Sequence, residues 1–232
     1  MSYDVDLDIL DTFSNEELEP LVKLITDQST EELTTTSKYK TYYPNHRQYV
    51  DLIKNEISLF GGNTFMNFFR GGGVPYREIL TDVCDNLDVP YNSKASRDRI
   101  EQCLLEKVLE DAWENMNESQ RREVFQDLSD STDMPSALTS GVLIALFRSG
   151  GFTSYKLSLI IVNAVYKFIM GRGLPLAANA ALTKGLSILV GPIGMAISAL
   201  WAAIDIAGPA YRVTQPAIIY IAAMRYAKRN KR

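Results

Sequence analysis

Residues 96–113 read Ser96-Arg-Asp-Arg-Ile-Glu-Gln-Cys-Leu-Leu-Glu-Lys-Val-Leu-Glu-Asp-Ala-Trp113. Ser96 is a helix N-cap, because its side-chain oxygen can accept from an amide of the first turn. Ile100, Leu104, Val108, Leu109 and Trp113 then recur at helical spacing and form one apolar stripe. The carboxylates Glu101, Glu106, Glu110, Asp111 and Glu114 are expected to make a solvated face. No alternating strand pattern competes with this reading, so the expected fold class is all-α, a multi-helix bundle.

Towards the N-terminus the same logic repeats. Ser14-Asn-Glu-Glu17 has capping-box spacing and opens a helix carrying Leu18, Leu21, Leu24 and Ile25, with Pro20 tolerated in or near its first turn. The Thr-rich stretch from Thr30 to Thr41 reads as a linker loop. Residues 44–60 read as an amphipathic helix with Tyr49, Leu52, Ile53, Ile57 and Phe60 on one face, stopped by Gly61 and Gly62. Asn63 caps a short aromatic helix from Thr64 to Phe69, which Gly71, Gly72 and Gly73 end. Pro75 opens the next helix, with Ile79, Leu80, Val83 and Leu87 inward. Beyond Trp113, Asn117 caps a helix running to about Leu128, with Val124 and Phe125 as its apolar contacts.

After the turn cluster at Ser129–Ser136 the composition changes. Ala137–Phe147, Leu157–Met170, Leu174–Val190, Ile193–Ala207 and Ala210–Tyr226 are almost continuously apolar, separated by glycines and Gly-Pro pairs. From Gly185 to Ile204 there are 20 residues without a charge, the length that crosses a bilayer as a helix. Gly191 and Pro192 fall inside the run, Trp201 lies near its end, and Asp205 and Arg212 follow it. Gly194, Ser198 and Ala202 recur every four residues and give a smooth face for close helix packing. Two readings stand: a hairpin that inserts into or lies on a membrane, and a buried hairpin of a soluble bundle.

Charge is split along the chain. Residues 1–140 hold 27 acids and 13 bases, a net −14, and residues 141–232 hold 11 bases and one acid, a net +10. Such asymmetry points to an anionic surface or to mutual attraction of the halves. The basic end, Arg225 to Arg232, suits anionic lipid, a helix C-terminus, or a solvated tail. Asp205 is expected to pair with Arg212, or each with an opposite charge from the first half.

Recognisable catalytic chemistry is missing from this reading. The one histidine, His46, stands in a polar turn without a second His or a Cys, so it reads as a surface residue and not as a metal ligand or triad base. Gly71-Gly72-Gly73 lacks the GK[ST] of a phosphate loop. Cys84 and Cys103 are too few for a disulfide framework or a zinc site and read as buried or half-buried thiols. Neither metal nor cofactor is expected, and the scattered bases do not make a nucleic-acid surface. The acidic N-terminus has no secretory pattern, so a cytoplasmic location is expected, with association at the inner membrane under the first hairpin reading.

The stretch Phe60-Gly-Gly-Asn-Thr-Phe-Met-Asn-Phe-Phe-Arg-Gly-Gly-Gly-Val-Pro-Tyr-Arg-Glu-Ile-Leu-Thr-Asp-Val83 resembles the YaaW family of uncharacterised bacterial proteins. Asp6-Leu-Asp-Ile-Leu10 with Ser14-Asn-Glu-Glu-Leu18 looks like that family's opening motif, and Tyr211-Arg-Val-Thr-Gln-Pro-Ala-Ile-Ile-Tyr-Ile-Ala222 like its closing one. The middle of the family is remotely similar to the ubiquinol–cytochrome c chaperones, which are helical assembly factors. The resemblance implies a fold and carries no activity. Its motif residues here are Phe60, Gly61, Gly62, Arg70, Gly71, Gly73, Tyr76, Arg77, Asp82, Tyr211, Arg212, Thr214 and Pro216. Arg70 and Arg77 bracket the glycines and are expected to hold loops, or to dock on Asp82 or on a partner's carboxylate or phosphate.

The expected organisation is an N-terminal helical motif (1–34), an acidic helical domain (35–130) and an apolar helical region (131–232). The favoured function is non-enzymatic and membrane-associated, the acidic half shielding a hairpin that inserts as in pore-type or defence effectors. The alternative is a soluble chaperone-like or scaffold protein whose apolar helices form its own core or a partner interface, with Met66, Phe68 and Phe69 beside a client groove. Partners are accordingly membrane lipid or a protein, and a homo-oligomer fits either reading.

Overall fold

The computed structural model of the chain describes residues 4–28, 32–61, 73–128, 137–173, 194–195 and 211–231. Among them are ten α-helices and two 3-10 helices, and no strand. The α-helices are α1 (Asn15–Gln28), α2 (Glu32–Thr35), α3 (Ser37–Tyr42), α4 (Val50–Gly61), α5 (Tyr76–Asn86), α6 (Arg97–Glu114), α7 (Glu118–Leu128), α8 (Ser140–Arg148), α9 (Gly151–Met170) and α10 (Tyr211–Asn230). The 3-10 helices are Val5–Thr12 and His46–Tyr49.

Helix starts follow the capping chemistry. Ser14 donates its amide to Glu17 Oε2 at 2.8 Å, and its hydroxyl accepts from the Glu17 amide at 3.2 Å, a reciprocal capping box. Asn117 and Gln120 repeat it, the Asn117 amide donating at 2.9 Å and the Gln120 amide at 3.0 Å. Ser96 Oγ accepts from the Arg99 amide. Pro20 stands further inside α1 than the first turn and the helix continues through it. At the end of α9, Gly171 adopts φ 69° and returns its amide to the Lys167 carbonyl at 2.9 Å, the left-handed cap that favours glycine.

The stretch expected as a linker is helical where it is described, as α2 and α3. One of the threonines that suggested a loop acts as a cap: Thr36 Oγ1 accepts from the Tyr39 amide at 3.2 Å and donates to the Leu33 carbonyl at 2.8 Å. Leu33 is buried and anchors the segment. The helix expected over 44–60 begins as the 3-10 turn His46–Tyr49 and becomes α4 only at Val50.

The chain divides into two compact units, one of Met1–Ile100 with Ile204–Ile221, the other of Glu101–Ala203 with Ala222–Arg232. The divisions fall inside α6 and inside α10. The first unit is built on the Val5–Thr12 turn and α1 to α5, with Leu7, Leu10, Leu18, Ile25, Ile53, Leu80 and Val83 enclosed. Phe13 meets Tyr220 of α10 edge to face at 6.4 Å between ring centres, and the Tyr220 hydroxyl donates to the Glu17 carbonyl at 3.0 Å. In the second unit Leu104, Val108, Trp113, Phe147, Ile160, Ile161 and Val165 are enclosed. Phe147 stacks on Tyr226 at 4.6 Å.

The apolar runs at 157–170 and 210–226 are largely core where they are described, with Phe168 exposed towards the end of α9. On α10 every residue from Val213 to Met224 is buried, and each enclosed Ile contributes about 1.5–3 kcal/mol through water release. A helix apolar all round is a core helix or a membrane span. Within these units it is core, and no helix of the described residues is long and apolar enough to cross a membrane.

Candidate functional site

The two ends of the glycine-rich family motif are set by close backbone approach. α4 ends at Gly61, where an added Cβ would fall well inside contact with the Ile79 and Val74 side chains. The chain is described again from Gly73, where a Cβ would strike the backbone of Ser58 and Leu59. Val74 donates its amide to the Ser58 carbonyl at 3.0 Å. The chain thus leaves α4 at its last turn and returns against that same turn, and only glycine permits the two approaches. Phe60 is half-buried beside this junction. Gly62, Arg70 and Gly71 lie outside the described residues, as does the aromatic stretch from Thr64 to Phe69.

From the junction the motif runs into α5. Tyr76 is fully buried and its amide donates to the Asp4 carboxylate. Asp4 also accepts from the Asp6 amide at 2.9 Å, so the opening and central motifs are tied together at one carboxylate. Lys54 of α4 bonds Asp8 at 2.9 Å and Asp11 at 2.8 Å, and Arg97 of α6 bonds Asp6 at 2.8 Å. Arg77 does not reach Asp82. Its guanidinium donates to the carbonyls of Ser93 at 2.9 Å and Ala95 at 2.6 Å, holding the loop before α6, while Asp82 is exposed. Both bonds come from one guanidinium nitrogen, Nη2, which lies between the two loop carbonyls.

The closing motif begins α10. Tyr211 is half-buried, Arg212 exposed, and Thr214, Gln215 and Pro216 are buried. Pro216 stands inside the helix and supplies no amide to the Arg212 carbonyl. Beside it the Gln215 side-chain oxygen is enclosed and has no hydrogen-bond partner among the described residues. Asp205, and with it the expected pair to Arg212, lies outside the described residues. So do Gly185, Gly191, Pro192, Ser198, Trp201 and Ala202. Gly194 is helical and half-buried.

Two charge pairs correct the expected solvated face of α6. Glu101 is buried and accepts from Arg225 Nε of α10 at 3.1 Å. Glu106 is buried and bidentate with Arg148 of α8, at 2.7 and 2.6 Å. The basic end is therefore not wholly a solvated tail: Arg225 is tied to α6, and Arg229 lies over the Tyr226 ring at 4.6 Å. These pairs join bases of the second half of the sequence to acids of the first, and the charge split was the signal that could have found them.

His46 is a second correction, for it is buried. Its amide donates to Asn15 Oδ1 at 2.6 Å, and Asn15 Nδ2 donates to the Pro44 carbonyl at 2.8 Å. The ring meets Tyr43 and Tyr49 edge to face. Spacing could not show this, because Asn15 is 31 residues away. Among the described residues no group of three or more His, Cys, Asp or Glu side chains could hold a metal ion. Two of the described motif residues are tied through backbone groups: the Tyr76 amide donates to the Asp4 carboxylate and the Arg77 guanidinium to two loop carbonyls.

A family model described as ubiquinol-cytochrome C chaperone matches residues 45–219. A UPF0174 protein of Helicobacter pylori (strain J99) is 42% identical over 231 residues, covering 96% of this chain and 91% of its own. The YaaW protein of Escherichia coli K12, also UPF0174, is 31% identical over 235 residues, covering 96% and 94%. This chain belongs to the UPF0174 family. A second Helicobacter pylori J99 member of UPF0174 is 41% identical over 205 residues, covering 84% of this chain and 96% of its own. No solved structure matches. The YaaW-family resemblance read from the three motifs, with its relation to the ubiquinol–cytochrome c chaperones, is thereby confirmed, and the helices of the structure bear out the all-α fold.

Proposed function

We propose that this UPF0174 protein is a non-enzymatic, chaperone-like assembly protein that holds an apolar segment of another protein. The observation that carries the reading is the match to the ubiquinol-cytochrome C chaperone model across residues 45–219. Two features support it. On α10 every residue from Val213 to Met224 is occupied as core, which favours a packed role for that helix over a lipid-facing one. The aromatic segment between Gly61 and Gly73, with Phe65, Met66, Phe68 and Phe69, is the part of the sequence richest in phenylalanine and is the element assigned to the client. Aromatic residues dominate binding energetics where a few side chains must supply most of the affinity.

The test uses the full chain and a Phe65→Ser/Phe68→Ser/Phe69→Ser variant. Both are mixed at equal molar ratio with a chemically denatured helical client, and light scattering follows client aggregation on dilution. The native chain is expected to suppress scattering and the triple variant to lose suppression while melting as the native chain does. Equal suppression by both, or none by either, overturns the reading.

A second reading, membrane association, rests on the uncharged run from Gly185 to Ile204. Carbonate extraction separates the two: a full chain retained by membranes, with a truncation ending at Ser136 released, supports insertion, and release of both removes it.

A further inference from the structure

We propose that the exposed tyrosine corner at residues 37–48 is a docking surface for a second copy of this chain, which presents to it the acidic ridge of α5. The corner is basic within an acidic half: residues 37–48 hold Lys38, Lys40 and Arg47 and no acid. Lys38 is paired with Asp51 at 2.5 Å. Lys40 and Arg47 are exposed and make no ion pair among the described residues. Between them in the chain, Tyr42 and Tyr43 are 44% and 58% exposed, and Pro44 is exposed beside them. Tyrosine and arginine are enriched among the residues that dominate the energy of protein interfaces.

The corner is held in shape by its own contacts. Asn15, the first residue of α1, accepts from the His46 amide at 2.6 Å and donates to the Pro44 carbonyl at 2.8 Å. Tyr43 packs on Tyr39 at 5.2 Å and on His46 at 6.0 Å between ring centres. Tyr39 in turn packs on the buried Tyr49 at 5.3 Å. A tyrosine gives up only two side-chain rotations on binding, and a segment already fastened adds little to the cost of ordering. The corner therefore offers aromatic area and two positive charges at small entropic cost.

Charge complementarity selects the occupant. Residues 78–88 hold Glu78, Asp82, Asp85 and Asp88 and no base. Glu78, Asp82 and Asp85 stand four and then three residues apart, which puts them on one face of α5. Asp82, Asp85 and Asp88 are exposed and make no ion pair among the described residues. Partial burial, with the charges of Glu78 and Asp85 adding to it, pushes the Asp82 carboxyl above its ordinary range. The ridge thus repels itself and gains from a base brought to it. A phenol–carboxylate bond of the kind the contact uses already occurs here, where Tyr91 donates to Asp85 Oδ1 at 2.9 Å. In the contact, Lys40 and Arg47 of one copy face Asp82 and Asp85 of the other, with Tyr42 and Tyr43 donating beside them. It is independent of the client segment between Gly61 and Gly73.

A charge swap tests the contact. Sedimentation velocity over a range of concentrations compares the full chain, a Lys40→Glu/Arg47→Glu variant, an Asp82→Lys/Asp85→Lys variant, and an equimolar mixture of the two variants. The native chain is expected to self-associate as concentration rises, and less so in high salt, because exposed charges are screened. Each exposed pair carries about two- to fivefold in affinity, so reversing two charges on either side should weaken association by about tenfold or more. The mixture should regain it, because each variant then meets its opposite charge. All four positions are exposed, so both variants are expected to melt as the native chain does. A native chain that is monomeric at every concentration, association unchanged in either variant, or a mixture that stays dissociated overturns the contact. A monomeric native chain whose suppression of client aggregation is lost in Lys40→Glu/Arg47→Glu gives the corner to an acidic client segment and overturns it as well. Where a reversal variant fails to fold, Lys40→Gln/Arg47→Gln and Asp82→Asn/Asp85→Asn take the place of the pair: weaker association in both sustains the contact, and no change in either overturns it.

Discussion

Glu101→Gln and Glu106→Gln remove one carboxylate charge each from the same helix, five residues apart, and should differ severalfold in cost. The Glu101–Arg225 pair is enclosed, its side chains 4% and 13% exposed. The Glu106–Arg148 pair has better hydrogen-bond geometry but half of Arg148 is in water, at 51% exposure against 11% for Glu106. Neutralising Glu101 leaves the Arg225 charge enclosed without the Glu101 counter-charge, which costs about 3 kcal/mol. Neutralising Glu106 lets Arg148 turn to solvent, and screening holds the loss to about 1 kcal/mol. With a urea slope of about 2 kcal/mol per molar, the midpoints should fall by roughly 1.5 M and 0.5 M. Urea unfolding followed by circular dichroism at pH 7 reads both shifts. A Glu101→Met/Arg225→Met double variant should recover at least half of the first loss, because two apolar side chains need no counter-charge. Equal shifts for the two single variants, or a larger one for Glu106→Gln, would refute the assignment of burial as the deciding term.

Three further outcomes follow from the motif geometry. Gly73→Ala should destabilise by about 1–3 kcal/mol and Gly61→Ala by less, since the first methyl meets rigid backbone at Ser58 and the second meets side chains that can move; thermal melts of both variants give the order. Arg77→Ala should cost about 1–2 kcal/mol by leaving the Ser93 and Ala95 carbonyls without their donor, and faster limited proteolysis between α5 and α6 is the local readout. Asn117→Ala should cost about 1 kcal/mol through the lost cap of α7, with Asn117→Asp restoring most of it in the same melt.

Much of the helical layout was legible because its determinants are local. The boxes at Ser14 and Asn117 and the cap at Ser96 are each complete within four residues, and each stands where the spacing placed it. The Thr-rich stretch misled because threonine caps short helices with the same oxygen that it uses in loops. Of the candidate site, the glycines at 61 and 73 were legible as breaks, while the reason they must be glycine lies in Ile79, Val74 and Ser58. Arg77 was legible as a loop-holding arginine, but its acceptors are backbone carbonyls, which a sequence does not distinguish from any others.

By itself the sequence determined that this chain is helical, where most of its described helices start, that its halves carry opposite charge, and which family it resembles. Periodicity and capping act within one or two turns, and composition is a sum over residues, so neither needs the fold. Only the tertiary structure decided which charged and polar groups leave water. Glu101 and Glu106 differ in no local respect from Glu110 and Glu114, yet the first two are buried and the last two exposed. The partner that makes burial of Glu101 tolerable is 124 residues away on α10. His46 likewise looks solvent-facing in its polar neighbours and is enclosed by rings and by an asparagine from another helix. Burial is a property of what packs against a residue, and packing partners are chosen by the whole chain.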